Sequence, residues 1–148
     1  MANARDRIRM TDDEIARFLD ETHTLHVASI NPDGTPHLVP MWFMRDGADI
    51  WFWTYGKSQK VMNLRRDPRI TVMAEEGEQY GDLHGLTVRG RAEIVEDEDR
   101  VLEFGMRSFP KYFGAAPDAE ARMRQMGAKR VLVIVHPETI ASWDHRKL

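Results

Sequence analysis

The 148-residue chain has no cysteine. That removes disulfide frameworks, thiolate zinc sites, iron–sulfur clusters and a cysteine nucleophile together, and it favours the cytoplasm. No apolar run reaches membrane-spanning length, and the charged N-terminal stretch Met1 to Met10 has no apolar core of a signal peptide, so neither a membrane partner nor export is expected. An excess of cations is missing as well: 21 basic residues face 24 acidic ones, for a formal charge of -3. Nucleic acid is therefore not an expected partner, and any basic site has to be local. Neither a Gly-x-Gly-x-x-Gly fingerprint nor a Walker loop occurs, and strands and helices do not alternate, which argues against a doubly wound dinucleotide fold. No internal repeat or low-complexity tract divides the chain, and its length suits one domain over 1–148, with residues 1–10 read as a flexible N-terminal arm.

What is present reads mainly as strands. Thr11 and Glu14 form a capping box ahead of Ile15, Phe18 and Leu19, predicting a helix over residues 12–21. His23 to Ile30 alternates, Asn31-Pro32-Asp33-Gly34 signals a turn, and His37 to Met44 completes a hairpin. A third strand runs from Ile50 to Tyr55, further strands over Ile70 to Ala74 and Leu83 to Val95, and a last pair of segments over Val131 to Val135 and Pro137 to Trp143. Gly85 and Gly90 mark bends where a sheet curls. Two helices, over Asp97 to Tyr112 and from Pro117 to Met126, are expected outside the sheet. The fold class is thus mainly β (α+β), an antiparallel barrel with peripheral helices.

Tyr55 to Arg69 is the segment richest in functional signal. A helix starts here with Lys57 and Lys60 where acidic residues normally gather, because the helix N-terminus carries partial positive charge and unpaired N–H groups. An anion would reverse that cost, and Lys57, the Ser58 hydroxyl, Lys60 and the free amides make a cradle for phosphate. A solvated basic helix accounts for the same residues. Arg65, Arg66 and Arg69 need no ligand, since the dipole favours cations at that end.

Val27 to Ile30, Asp33 to His37, Ile50 to Trp53 and above all Lys57-Ser58-Gln59-Lys60-Val61-Met62-Asn63-Leu64-Arg65-Arg66-Asp67-Pro68-Arg69 resemble the split-barrel flavin and deazaflavin oxidoreductases related to pyridoxamine 5'-phosphate oxidase. The resemblance implies a six-stranded antiparallel split β-barrel, a homodimer, and a cofactor between subunits. It implies that Lys57, Ser58 and Lys60 grip the cofactor phosphate, and that Leu38, Val39, Pro40, Met41 and Trp42 run beside the ring. FMN oxidases of this family place an arginine on the strand matching Pro36 to Met44; this chain offers His37 there and no arginine before Arg45. The branch using the deazaflavin F420 matches Lys57 and Lys60 better, so F420 is the expected cofactor and FMN the alternative. Its implied activity is hydride transfer between reduced F420 and a small unsaturated or conjugated substrate. An FMN-dependent pyridoxamine phosphate oxidase-like enzyme, or a non-catalytic flavin-, F420- or haem-binding protein, are the alternatives.

Several side chains have plainer explanations beside the functional one. Pro40 cannot donate to a ladder, so it marks an edge, a bulge or a place beside something that is not a strand. Trp42, Trp51, Phe52 and Trp53 suit a core or dimer interface, and alternation places Trp51 and Trp53 on one face that something large, such as a second subunit, covers. His23 and His26 point to opposite faces, which disfavours a shared metal. By the resemblance, Trp143 reaches the cofactor from the partner subunit. Lys111 and Arg107 suit an acidic substrate or the glutamate tail of F420, and ordinary surface charge accounts for them equally well; Tyr55 and Tyr80 are the available proton donors, with no pair whose spacing demands an acid–base role.

Overall fold

Thr11 caps the helix that the sequence places behind it. In the computed structural model, which describes residues 3–148, its hydroxyl accepts from the Glu14 amide at 3.2 Å and the Glu14 carboxylate accepts from the Thr11 amide at 3.1 Å. This opens α2 (Asp12–Glu21), which buries Phe18 and Leu19. The arm expected over residues 1–10 begins outside the described residues. From Asn3 onward it carries α1 (Ala4–Ile8), and the buried Met10 donates its amide to Ser142 Oγ at 3.0 Å.

Seven strands follow: β1 (Leu25–Ile30), β2 (Pro36–Met41), β3 (Met44–Asp46), β4 (Asp49–Tyr55), β5 (Arg69–Glu76), β6 (His84–Val95) and β7 (Arg130–Asp144). Every pairing is antiparallel, in the order β2-β1-β5-β6-β7-β4-β3. The two outermost strands are consecutive in the chain, joined only by Trp42 and Phe43. The sheet must therefore curl until its ends nearly meet, which is a split barrel. The strand expected over His37 to Met44 is broken here, its first part pairing with β1 and its last with β4. Counted as one bent strand, β2 and β3 make the barrel six-stranded.

The glycine bends are real. A Cβ at Gly85 would lie 2.4 Å from the Ala74 carbonyl oxygen, and one at Gly90 would lie 2.1 Å from that of His136. Beside Gly90 the register slips, because β7 carries one extra residue, Glu138, between the partners of Arg89 and Gly90. The two segments expected over Val131 to Trp143 are in consequence one strand with a bulge at Pro137, where no N–H is available for the ladder.

Alternation sorts the core into two layers. Ile50 and Phe52 face the barrel interior with Leu25, Val27, Val72 and Val133. Trp51 faces the other way, onto α4 (Glu98–Phe113) and α5 (Ala119–Gly127), with Phe104, Leu132 and Ile134. The cover expected from a second subunit over Trp51 and Trp53 is therefore supplied by the chain's own helices. Gly105 and Gly127 allow it: Cβ atoms there would stand 3.1 and 3.2 Å from the Trp53 ring. Arg100 and Arg107 lie 5.3 and 5.1 Å above the Trp51 ring. The helix expected to start at Pro117 starts two residues later, since Pro117 and Asp118 form a turn and Asp118 takes the cap position.

Candidate anion-binding site

Helix α3 (Gln59–Arg66) closes one end of the barrel, with Val61 and Leu64 buried in the interior. Asn63, wholly buried, ties it down: its amide nitrogen donates to Ser29 Oγ at 3.1 Å and Asn31 Oδ1 at 3.0 Å, and its oxygen accepts from Gln59 at 2.8 Å. Helix α3 is thus tied to β1 and to the turn that follows it.

The N-terminus of α3 has unspent donors. Ser58 occupies the cap position, yet its hydroxyl makes no capping bond. The first intrahelical bond runs from the Met62 amide to the Ser58 carbonyl at 3.1 Å, leaving the amides of Gln59, Lys60 and Val61 ahead of it. Lys60 is half-buried and donates to Thr54 Oγ1 at 2.9 Å; Thr54 Oγ1 in turn stands 3.5 Å from Ser58 Oγ. Burial lowers the Lys60 pKa from its usual value. No carboxylate pairs with Lys60 or with the exposed Lys57 among the described residues. By contrast Arg45, Arg65, Arg69, Arg124 and Arg146 each hold one, and Arg107 holds two. An ammonium that has lost part of its water and has, among the described residues, only a hydroxyl as partner, beside free amides and a serine hydroxyl that makes no cap bond, fits a phosphate.

The remaining expected site residues separate by face. His37, Val39 and Met41 stand opposite Ser29, Val27 and Leu25, so they turn inward with them, while Pro40 and the 64 % exposed Leu38 turn outward. His37 adjoins α3 through Ser29, and its Nδ1 is buried without a partner. Trp42 is 50 % exposed and stacks on Tyr112 at 4.3 Å and 11°. Trp143 donates to Glu75 at 2.7 Å and sits at the far end of β7 from Arg130, the strand partner of Tyr55. About 40 Å of strand, at roughly 3.3 Å per residue, lies between them. One subunit does not bring Trp143 to the lysines.

Of the two readings open for Arg107 and Lys111, the structure favours charges that serve the chain itself. Arg107 is taken by Asp46 at 2.7 Å and by Glu103 at 3.4 Å. Lys111 donates to the carbonyl oxygens of Leu19 and Phe43 at 3.0 and 3.3 Å, and burial brings its pKa down to about 8. Each therefore has partners within the chain. Thr54, Gln59 and Asn63 are parts of the site that residue-by-residue reading passes over. The pattern does contain a hint for Thr54, which shares the inward parity of Ile50 and Phe52 and would otherwise be a polar group in the core.

A split barrel with free amides and two unpaired lysines at the start of a rim helix is the architecture shared by a family of flavin- and deazaflavin-binding proteins. The chain belongs to the pyridoxamine 5'-phosphate oxidase family, whose profile matches residues 11–144. Over 134 residues it is 28 % identical to an F420H(2)-dependent biliverdin reductase of Mycobacterium tuberculosis (strain CDC 1551 / Oshkosh), covering 89 % of this chain and 93 % of that protein. A conserved hypothetical protein of Mycobacterium tuberculosis superposes with a TM-score of 0.92 at 39 % identity, covering 99 % of this chain and 92 % of the other. An F420 reductase superposes with a TM-score of 0.69 at 27 % identity, covering 88 % of this chain and 98 % of the other.

Proposed function

We propose that the protein is an F420-dependent reductase, acting as a homodimer, in which Lys57, Ser58, Lys60 and the amides that open α3 hold the cofactor phosphate. The observation that carries this reading is Lys60, a half-buried cation whose one partner is the neutral Thr54 hydroxyl. An anion there would convert a cost into a charge-assisted bond. The choice of F420 over FMN rests on β2, which offers His37 in place of an arginine, and on the two relatives that use F420.

When bound, the cofactor supplies the hydride; the chain's own residues bind and orient it. Leu38, Val39, Pro40, Met41 and Trp42 would present a strand edge to the ring, and Pro40 adds no N–H to compete there. The exposed Leu38 and Trp42 are covered by a second copy in this reading, whose Trp143 completes the slot that one subunit leaves open. The acceptor is a small conjugated molecule, reduced by a hydride from the cofactor and a proton from water or a tyrosine such as Tyr55 or Tyr80.

The test is titration of purified protein with F420 and separately with FMN, followed by tryptophan quenching, and then oxidation of reduced F420 by a panel of quinones, enones and biliverdin. F420 binding with turnover of a panel member supports the reading. FMN binding alone moves the protein to the FMN-dependent oxidases. F420 binding with no acceptor consumed points to a carrier.

A further inference from the structure

The corner between β2 and β3 is where the barrel is split, and its backbone lacks a strand partner. Phe43 is fully buried there, yet neither its N–H nor its C=O enters a ladder. Both go to side chains of the last turn of α4. The Phe43 amide donates to the Tyr112 hydroxyl at 2.8 Å, and the Phe43 carbonyl accepts from Lys111 Nζ at 3.3 Å. The Tyr112 hydroxyl lies 2.9 Å from each of the Phe43 and His23 carbonyl oxygens and can give its single proton to one at a time. Lys111 Nζ also reaches the Leu19 carbonyl at 3.0 Å and lies 3.8 Å from the Phe43 ring centre. On the solvent side the Tyr112 ring carries Trp42, stacked at 4.3 Å, and Phe113 meets Trp42 edge-on at 5.6 Å.

We propose that Tyr112 and Lys111 are positioning residues: the last turn of α4 replaces the strand partner that this corner lacks and holds Trp42 and the end of β2 in the shape a planar cofactor needs. This rests on the reading of β2 as the ring-facing strand. The physical reason is the orphan backbone. A buried N–H and C=O at a break in a sheet must find partners, and partners on a helix tie the break to that helix. The β1 ladder ends at Met41 and the β4 ladder begins at Met44, so Trp42 and Phe43 have no strand partner to restrain them. Two χ angles fix the Tyr112 ring, and its face is then a platform for Trp42.

Tyr112→Phe keeps the stack and removes the hydroxyl. In the cofactor-free protein, amide hydrogen exchange at Phe43 should accelerate tenfold or more in this variant, with Leu132 in β7 unchanged. In parallel, Val101→Ala, at the other end of α4, serves as a variant that destabilises the same helix without touching the corner. F420 affinity should fall tenfold or more in Tyr112→Phe and stay within twofold of wild type in Val101→Ala when both are measured well below their melting temperatures. Unchanged exchange at Phe43 would overturn the proposal, and so would equal loss of affinity in the two variants. Absence of both F420 and FMN binding by the wild type would sink the cofactor reading and with it the ring-positioning role, while the exchange data would still decide whether Tyr112 holds the corner.

Discussion

Replacing Lys60 by methionine should move stability and binding in opposite directions. In the cofactor-free protein Lys60 is a half-desolvated ammonium hydrogen-bonded, among the described residues, only to Thr54, and its pKa is lowered by burial. Methionine keeps the length of the apolar stem and removes the charge. Thr54 retains the Ser58 hydroxyl as a neighbour at 3.5 Å, so no oxygen is stranded. The expected gain is roughly 1 kcal/mol, a small part of the several kcal/mol that a fully buried ion costs, because the ammonium keeps half its water. For a domain of this length that corresponds to a melting temperature higher by roughly 2–4 °C.

The sign of the pH dependence follows from the same shift. The folded pKa of Lys60 lies below the unfolded one, so the penalty is fully present at neutral pH and fades as pH rises through the folded pKa. The advantage of methionine should therefore shrink at alkaline pH. Binding goes the other way: a hydrogen bond to a charged group contributes about 1.5–3 kcal/mol, so affinity for F420 should drop by about tenfold to a hundredfold. Scanning fluorimetry of both proteins at neutral and alkaline pH, with F420 titrations alongside, measures all three quantities. A melting temperature that falls, together with undiminished affinity, would mean that Lys60 is a structural residue and that the anion site lies elsewhere.

Four further outcomes are expected. Burial brings the Lys111 pKa down to about 8, partly offset by the Asp20 carboxylate, so wild type should gain roughly 1–2 kcal/mol on Lys111→Met between about pH 8 and 10 in urea denaturation, after allowance for its partial exposure. Tyr112, pushed up to about 12 by burial, works the other way above pH 10, where the unfolded phenol ionises first. Gly90→Ala should cost at least about 1–3 kcal/mol, because the new Cβ would stand 2.1 Å from a backbone oxygen, whereas Gly81→Ala meets nothing within 4 Å and should be near neutral; chemical denaturation of the pair checks this. Asn63→Leu strands Ser29, Asn31 and the Gln59 amide and should lose about 2–4 kcal/mol by the same assay, with weaker F420 binding because the anion site is no longer held in place.

Much of the fold was legible because it depends on neighbours in sequence. The Thr11–Glu14 box is a contact three residues apart, and α2 begins and ends where that pattern says. The β1–β2 hairpin follows from Asn31 to Gly34, with Gly34 at φ +86° as the turn requires. Lys57 and Lys60, one just before α3 and one in its first turn, were legible as an anomaly against the helix dipole. Breaking β2 from β3 at Trp42 was not, because apolar residues continue through Phe43 and Met44 and local pattern sees one strand; which end of the sheet each half joins depends on β1 and β4. Trp51 and Trp53 were readable as a covered face, but the identity of the cover was not.

The sequence by itself determined the alternation of the strands, the helix starts, the glycine bends and the placing of Lys57, Ser58 and Lys60 within one helical turn, since each rests on stereochemistry over a few residues. Tertiary structure alone decided which charges are already spent. Arg107 and Lys111 read equally as ligand-binding cations or as ordinary surface charge until Asp46, Leu19 and Phe43 are brought to them from distant parts of the chain. Lys60 is left with a threonine. A charge is defined chemically by what surrounds it in space, and that environment is assembled only when the sheet closes.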